Sequence, residues 1–93
     1  MNEADPRLDA VFGALSDPTR RHVMERLVDD GPVTATDLAR DLPITRQAVV
    51  KHLQALDAAG LVDAERVGRE VRFAARPETL ARAVDWLSTV GDR

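Results

Sequence analysis

Apolar positions recur along this chain with two different periods, and the switch between them divides it. Leu8, Val11, Phe12 and Leu15 stand at the three-and-four spacing that lines one face of a helix. After Ser16 the pattern restarts: Asp17 as N-cap and Pro18 at the first helical position open a second helix that carries Val23, Met24, Leu27 and Val28 inward. Gly31-Pro32 ends it. Thr34 followed by Asp37 has the spacing of a capping box, with Asp in the usual Glu/Gln place. The helix it opens, with Leu38, Ala39 and Leu42 apolar, is stopped by Pro43. Leu42-Pro43-Ile44 is the whole connection to the next helix, in the stretch 43–60, which Thr45 caps and Gly60 closes. Its buried stripe is Val49, Leu53 and Leu56.

Past Gly60 the period becomes two. Val62 and Ala64 alternate with Asp63 and Glu65, and Val71 and Phe73 alternate with Glu70, Arg72 and Ala74. Gly68 at the first central position of Val67-Gly68-Arg69-Glu70 fits a type II′ turn. That turn sets Ala64 opposite Phe73 and Glu65 opposite Arg72, where Glu65 can hold the arginine. Pro77 then opens a last helix with Leu80, Ala83, Val84 and Leu87 on one stripe, widened by Trp86 and Val90. The expected class is mainly α with a small β-hairpin, a winged helix-turn-helix of about five helices plus a two-stranded wing. A helix-turn-helix at 34–60 and a wing at 61–75 are bracketed by helices at 8–15 and 77–90.

Composition narrows the function. Ninety-three residues make one domain, and Phe12, Phe73 and Trp86 are its only rings, so the core is thin and aliphatic. Oligomerisation commonly supports such chains. The absence of cysteine removes disulfides, thiolate metal sites and thiol redox sensing. The first ten residues are acidic and lack an apolar run, and no segment is apolar enough to span a bilayer, so a cytoplasmic protein without a signal peptide is expected. The acid-rich stretch 3–9 is expected to be a frayed, solvated terminus. No phosphate-binding glycine loop, zinc-protease helix or nucleophile elbow is present, and no enzyme is expected.

The formal net charge of −3 hides an uneven distribution. Residues 43–76 hold six Lys/Arg against four acids, whereas 1–42 hold five against nine. Within the basic middle, Arg46, Gln47, Val50, Lys51 and Gln54 share one helix face, and no acid occurs from position 43 to 56. Cations, amides and a methyl-bearing side chain suit the acceptors, donors and thymine methyls of a DNA major groove. An ordinary solvated face is the alternative. On the DNA-binding expectation, Arg46 and Gln47 are base readers, Lys51 grips phosphate, and Thr45 and Gln54 extend the face. Arg66, Arg69 and Arg72 project from the hairpin, with Arg69 at its tip toward phosphate or minor groove. His52 is expected to hydrogen-bond beside this face. As a metal ligand it has only His22 for a companion, against the three or four donors a site needs, so no metal or other cofactor is expected. Arg20, Arg21, Glu25 and Arg26 fit a solvated, partly paired face. Leu8, Val11, Phe12, Leu80, Val84, Trp86 and Leu87 are expected at a dimer interface, with an effector pocket as the other use of Trp86.

L-S-D-P-T-R-R at 15–21, K-H-L at 51–53 and A-G-L-V at 59–62, in that order, resemble the ArsR/SmtB family over roughly residues 8–87. The resemblance implies a bacterial or archaeal winged-helix repressor that dimerises through its first and last helices. It would bind an inverted-repeat operator with half-sites ~34 Å apart. Three departures stand out. Val50 occupies the place, two before the histidine, where the family often has Ser or Thr. Positions 34–38 lack the metal-sensing branch's Cys-x-Cys motif, and Asp85 has no histidine near it on the last helix. The implied protein is a member without those metal sites, its small-molecule effector unknown. The other reading of the acidic pI of about 5.3 is a winged-helix module for protein–protein contact with little DNA affinity.

Overall fold

The computed structural model describes residues 6–93, in five helices and three strands. Helix α1 (Pro6–Ala14) begins at Pro6, inside the stretch expected to fray. Residues 3–5 of that stretch lie outside the described residues. Helix α2 (Pro18–Asp30) starts as its sequence dictates: the Asp17 carboxylate accepts the Arg20 backbone N–H at 2.9 Å, satisfying one of the helix's orphan donors. Val23, Met24 and Leu27 point inward. Val28 does not; it is 55% exposed, because α2 rests on the core by a narrower stripe than the sequence implied.

The helix-turn-helix follows. In helix α3 (Ala35–Asp41) both capping-box bonds are made, Asp37 N–H to Thr34 Oγ1 at 3.0 Å and Thr34 N–H to Asp37 Oδ2 at 3.1 Å. Helix α4 (Arg46–Ala58) is capped by Thr45, whose hydroxyl accepts the Ala48 N–H at 3.1 Å. Its far end closes in a Schellman motif. Gly60 has φ +75°, its N–H reaches the Asp57 carbonyl, and the Leu61 N–H reaches the Leu56 carbonyl, each at 2.9 Å. Leu56 and Leu61 are both fully buried, the apolar contact that accompanies this motif.

Strands β2 (Val62–Val67) and β3 (Glu70–Ala75) pair antiparallel with Ala64 opposite Phe73 and Glu65 opposite Arg72, as the turn residues required. Gly68 has φ +63° and no other residue type has a positive φ among the described residues, so Arg69 does not. One positive φ, at the first central position, is the signature of a type II′ turn. The sheet is nevertheless three-stranded. Val33–Thr34 forms β1, which pairs with β3 through Val33 opposite Phe73 and Thr34 opposite Arg72, giving the order β1-β3-β2. The hairpin is the two-stranded wing expected, and β1 extends it to a three-stranded sheet. A helix N-cap keeps extended backbone dihedrals, here φ −87° and ψ 162° at Thr34, so one residue serves as cap and strand.

Helix α5 (Pro77–Gly91) returns across α1. The core holds Val11, Val23, Leu27, Leu38, Val49, Leu53, Leu56, Leu61 and Val62 fully buried, with no buried polar side chain among the described residues. Truncating one of these leucines to alanine is expected to cost about 2–5 kcal/mol.

Candidate nucleic-acid interface

α4 presents two faces. Val49, Leu53 and Leu56 are buried, and Arg46, Gln47, Lys51 and Gln54 are exposed. Gln47, Lys51 and Gln54 make no hydrogen bond or ion pair among the described residues. Arg46 is different: its Nε donates to Thr36 Oγ1 of α3 at 3.2 Å, across the turn of the helix-turn-helix. Thr45 is exposed, but its oxygen is occupied by the helix cap. Val50 was expected to be exposed; it is half-buried and packs against the core, because it lies between the two faces. The first turn of α4 contains no acid, so nothing opposes the positive end of its dipole.

His52 sits on the same helix but turns away from the expected DNA-facing surface. Its side chain is 19% exposed and faces the start of α2, where Nδ1 accepts Arg20 Nε at 3.2 Å and lies 4.0 Å from Asp17 Oδ2. Arg20 is therefore not simply part of a solvated face. Asp17 has its carboxyl held below the ordinary range, first by the Arg20 backbone N–H and then by the nearby His52 and Arg20 side chains. Asp37 is lowered as well, chiefly by the Thr34 backbone N–H. Arg26 bridges Asp30 at 2.6 Å and Asp41 at 2.7 Å, fastening α2 to the end of α3. His22 is exposed.

On the wing, Arg66 and Arg69 are exposed and make no hydrogen bond or ion pair among the described residues. Arg72 is engaged by Glu70, with Nη2 at 2.9 Å and Nε at 3.2 Å from the same oxygen. The partner anticipated for it was Glu65. Glu70 lies two residues back on the same strand and face, so it competes directly for the arginine and takes it. Arg76, not anticipated in any role, pairs with Asp63 at 2.9 Å across the base of the hairpin. Between α3, α4 and the wing runs a groove of about 470 Å³ whose walls include Thr36, Arg40, Arg46, Val50, Arg69 and Phe73. Thr36 and Arg20 escaped the sequence because their partners lie 10 and 32 residues away, beyond any local pattern.

The residues expected at a dimer interface separate into two groups. Val11 is 1% exposed and belongs to the protomer's own core, since the α1 stripe packs inward at its centre; that assignment is corrected. Leu8 and Leu80 are half-buried against the same core. Phe12, Val84, Trp86 and Leu87 remain at the surface, with Leu87 54% and Val84 57% exposed. Phe12 and Trp86 meet edge to face at a centroid distance of 5.6 Å, joining α1 to α5.

Comparison with known proteins places this geometry. A helix-turn-helix domain family matches residues 15–65. An HTH-type transcriptional regulator of Mycobacterium tuberculosis is 42% identical over 73 residues, 78% of this chain and 67% of its own length. The transcriptional repressor SdpR of Bacillus subtilis is 30% identical over 80 residues, 86% of this chain and 88% of its own. The structure of an ArsR-like transcriptional regulator from Rhodococcus sp. RHA1 superimposes with a TM-score of 0.83 at 41% identity, covering 94% of this chain and 81% of that one.

Proposed function

The chain belongs to the ArsR/SmtB family of winged helix-turn-helix transcriptional regulators, and from that premise we propose that it is a homodimeric repressor of an inverted-repeat operator. The observation that carries this is the outward face of α4. Arg46, Gln47, Lys51 and Gln54 stand there without an acid among them, beside a wing whose Arg66 and Arg69 have no partner among the described residues. A groove-facing helix delivers base contacts from its first turn and phosphate contacts further along. Arg46 and Gln47 therefore read bases, and Lys51 and Arg69 bind phosphate. Repression itself is supported by the similarity to SdpR. The exposed apolar residues of α1 and α5 support the homodimer. The protein acts in the cytoplasm, on double-stranded DNA, with no catalytic step of its own.

The proposal includes regulation without a metal effector. The chain has no cysteine, the ligand that soft metal ions select, and only two histidines, one on α2 and one on α4. A salt titration of binding to an inverted-repeat fragment tests the central claim. Affinity is expected to fall steeply with salt, and Arg46→Ala is expected to weaken binding at least tenfold. Shallow salt dependence, or an unchanged affinity in Arg46→Ala, rules the proposal out.

A further inference from the structure

We propose that Thr36 is a positioning residue for base recognition, its hydroxyl holding Arg46 by Nε so that the two terminal amino groups present an end-on fork to guanine. This rests on the DNA-binding function proposed above and adds the residue that determines specificity. A free arginine samples many rotamers and can offer its donors end-on, through both Nη groups, or side-on, through Nε and one Nη. The 3.2 Å bond from Nε to Thr36 Oγ1 occupies the donor that the side-on mode needs and so favours the end-on one. Guanine O6 and N7 are the pair of major-groove acceptors that such a fork matches.

Three further features make the arrangement specific. Thr36 sits in the first turn of α3, whose course is set by the capping box of Thr34 and Asp37 rather than by Thr36 itself, so its hydroxyl is not needed for the helix. Asp37, the adjacent acid, is already occupied: Oδ2 accepts the Thr34 N–H at 3.1 Å, and Oδ1 meets Arg40 at 3.4 Å. Arg46 is therefore oriented by a neutral oxygen and keeps its full charge for DNA. One turn along α4, the half-buried Val50 lines the same groove as Arg46 and Thr36. Holding a long side chain in its bound geometry before contact reduces the ordering cost of binding.

The test starts with DNA selected from a random pool by the intact protein, followed by affinities for all four bases at each half-site position. One position is expected to prefer guanine by about tenfold or more, and Arg46→Lys, which keeps the charge but loses the fork, is expected to abolish that preference. Thr36→Val is expected to reduce the same preference about fivefold while leaving the other positions and the salt slope unchanged. Thr36→Ser is expected to restore it. Equal thermal unfolding of the three Thr36 proteins establishes that folding is not the cause. A guanine preference that survives Thr36→Val overturns the inference and leaves the regulator intact. So does a loss that is uniform across bases with a shallower salt slope, since Arg46 would then be a phosphate contact. A pool that yields no bound DNA overturns the proposed function and this inference with it.

Discussion

Gly60 is the residue on which the end of α4 turns. Its φ of +75° closes the Schellman motif, and a Cβ placed there would meet nothing nearer than Thr79 Oγ1 at 3.9 Å. Space is available, so Gly60→Ala is penalised by backbone strain alone, about 1–2 kcal/mol by urea unfolding, with base preference unaltered. Asp17 makes a second prediction. Its carboxyl is lowered in the folded chain, so its contribution is present above the unfolded value of 3.8 and is lost as pH falls through the lower folded value. Asp17→Asn keeps a capping oxygen without the charge. It should lower stability modestly at neutral pH, where the ionised carboxylate contributes, and flatten the acid limb of a stability–pH profile below about pH 4, where that contribution is being lost anyway. Residues of this kind were legible in the sequence. Asp17, Thr34, Thr45 and Gly60 act on backbone groups within a few positions of themselves, so their effect is written locally. The bonds from Arg46 to Thr36 and from Arg20 to His52 depend on how helices pack, and no local pattern encodes that.

At the scale of elements, the wing and α4 make separable contributions. Arg69→Ala is expected to lower the salt slope of DNA binding by about one and weaken all sequences alike, as loss of a phosphate contact does. Arg72→Ala should change the slope less, because its guanidinium is partly neutralised by Glu70 at 2.9 Å; the two titrations in parallel distinguish them. The hairpin was readable to the register, since Gly68 fixes the turn and the turn fixes every pair. The third strand was not. Two residues are too few to establish a period, and Thr34 already had an explanation as a helix cap. The inward face of α2 was overestimated by one residue, Val28, because periodicity gives the direction of a stripe but not how wide a neighbour will cover it.

At the scale of the whole molecule, the exposed apolar surface of α5 is the feature that asks for a second copy. Val84, Trp86, Leu87 and Val90 are all at least 40% exposed, an unusual concentration on one helix of a small chain. Leu87→Glu is expected to yield a monomer by sedimentation equilibrium and to lose most operator affinity, because two linked half-sites become independent ones. The stripe was visible in the sequence; its division between self and partner was not, and Val11 fell on the protomer's side. The three-stranded sheet has a consequence at this scale too. Because β1 ties β3 to the first residue of the helix-turn-helix, Val33 opposite Phe73 and Thr34 opposite Arg72, the base of the ribbon is coupled to the helices. That coupling sets the span from α4 to the ribbon's arginines. On the proposed reading helical phase matters as well as sequence: one base pair inserted between the bases assigned to α4 and the phosphates assigned to Arg69 is expected to cost one of the two contacts.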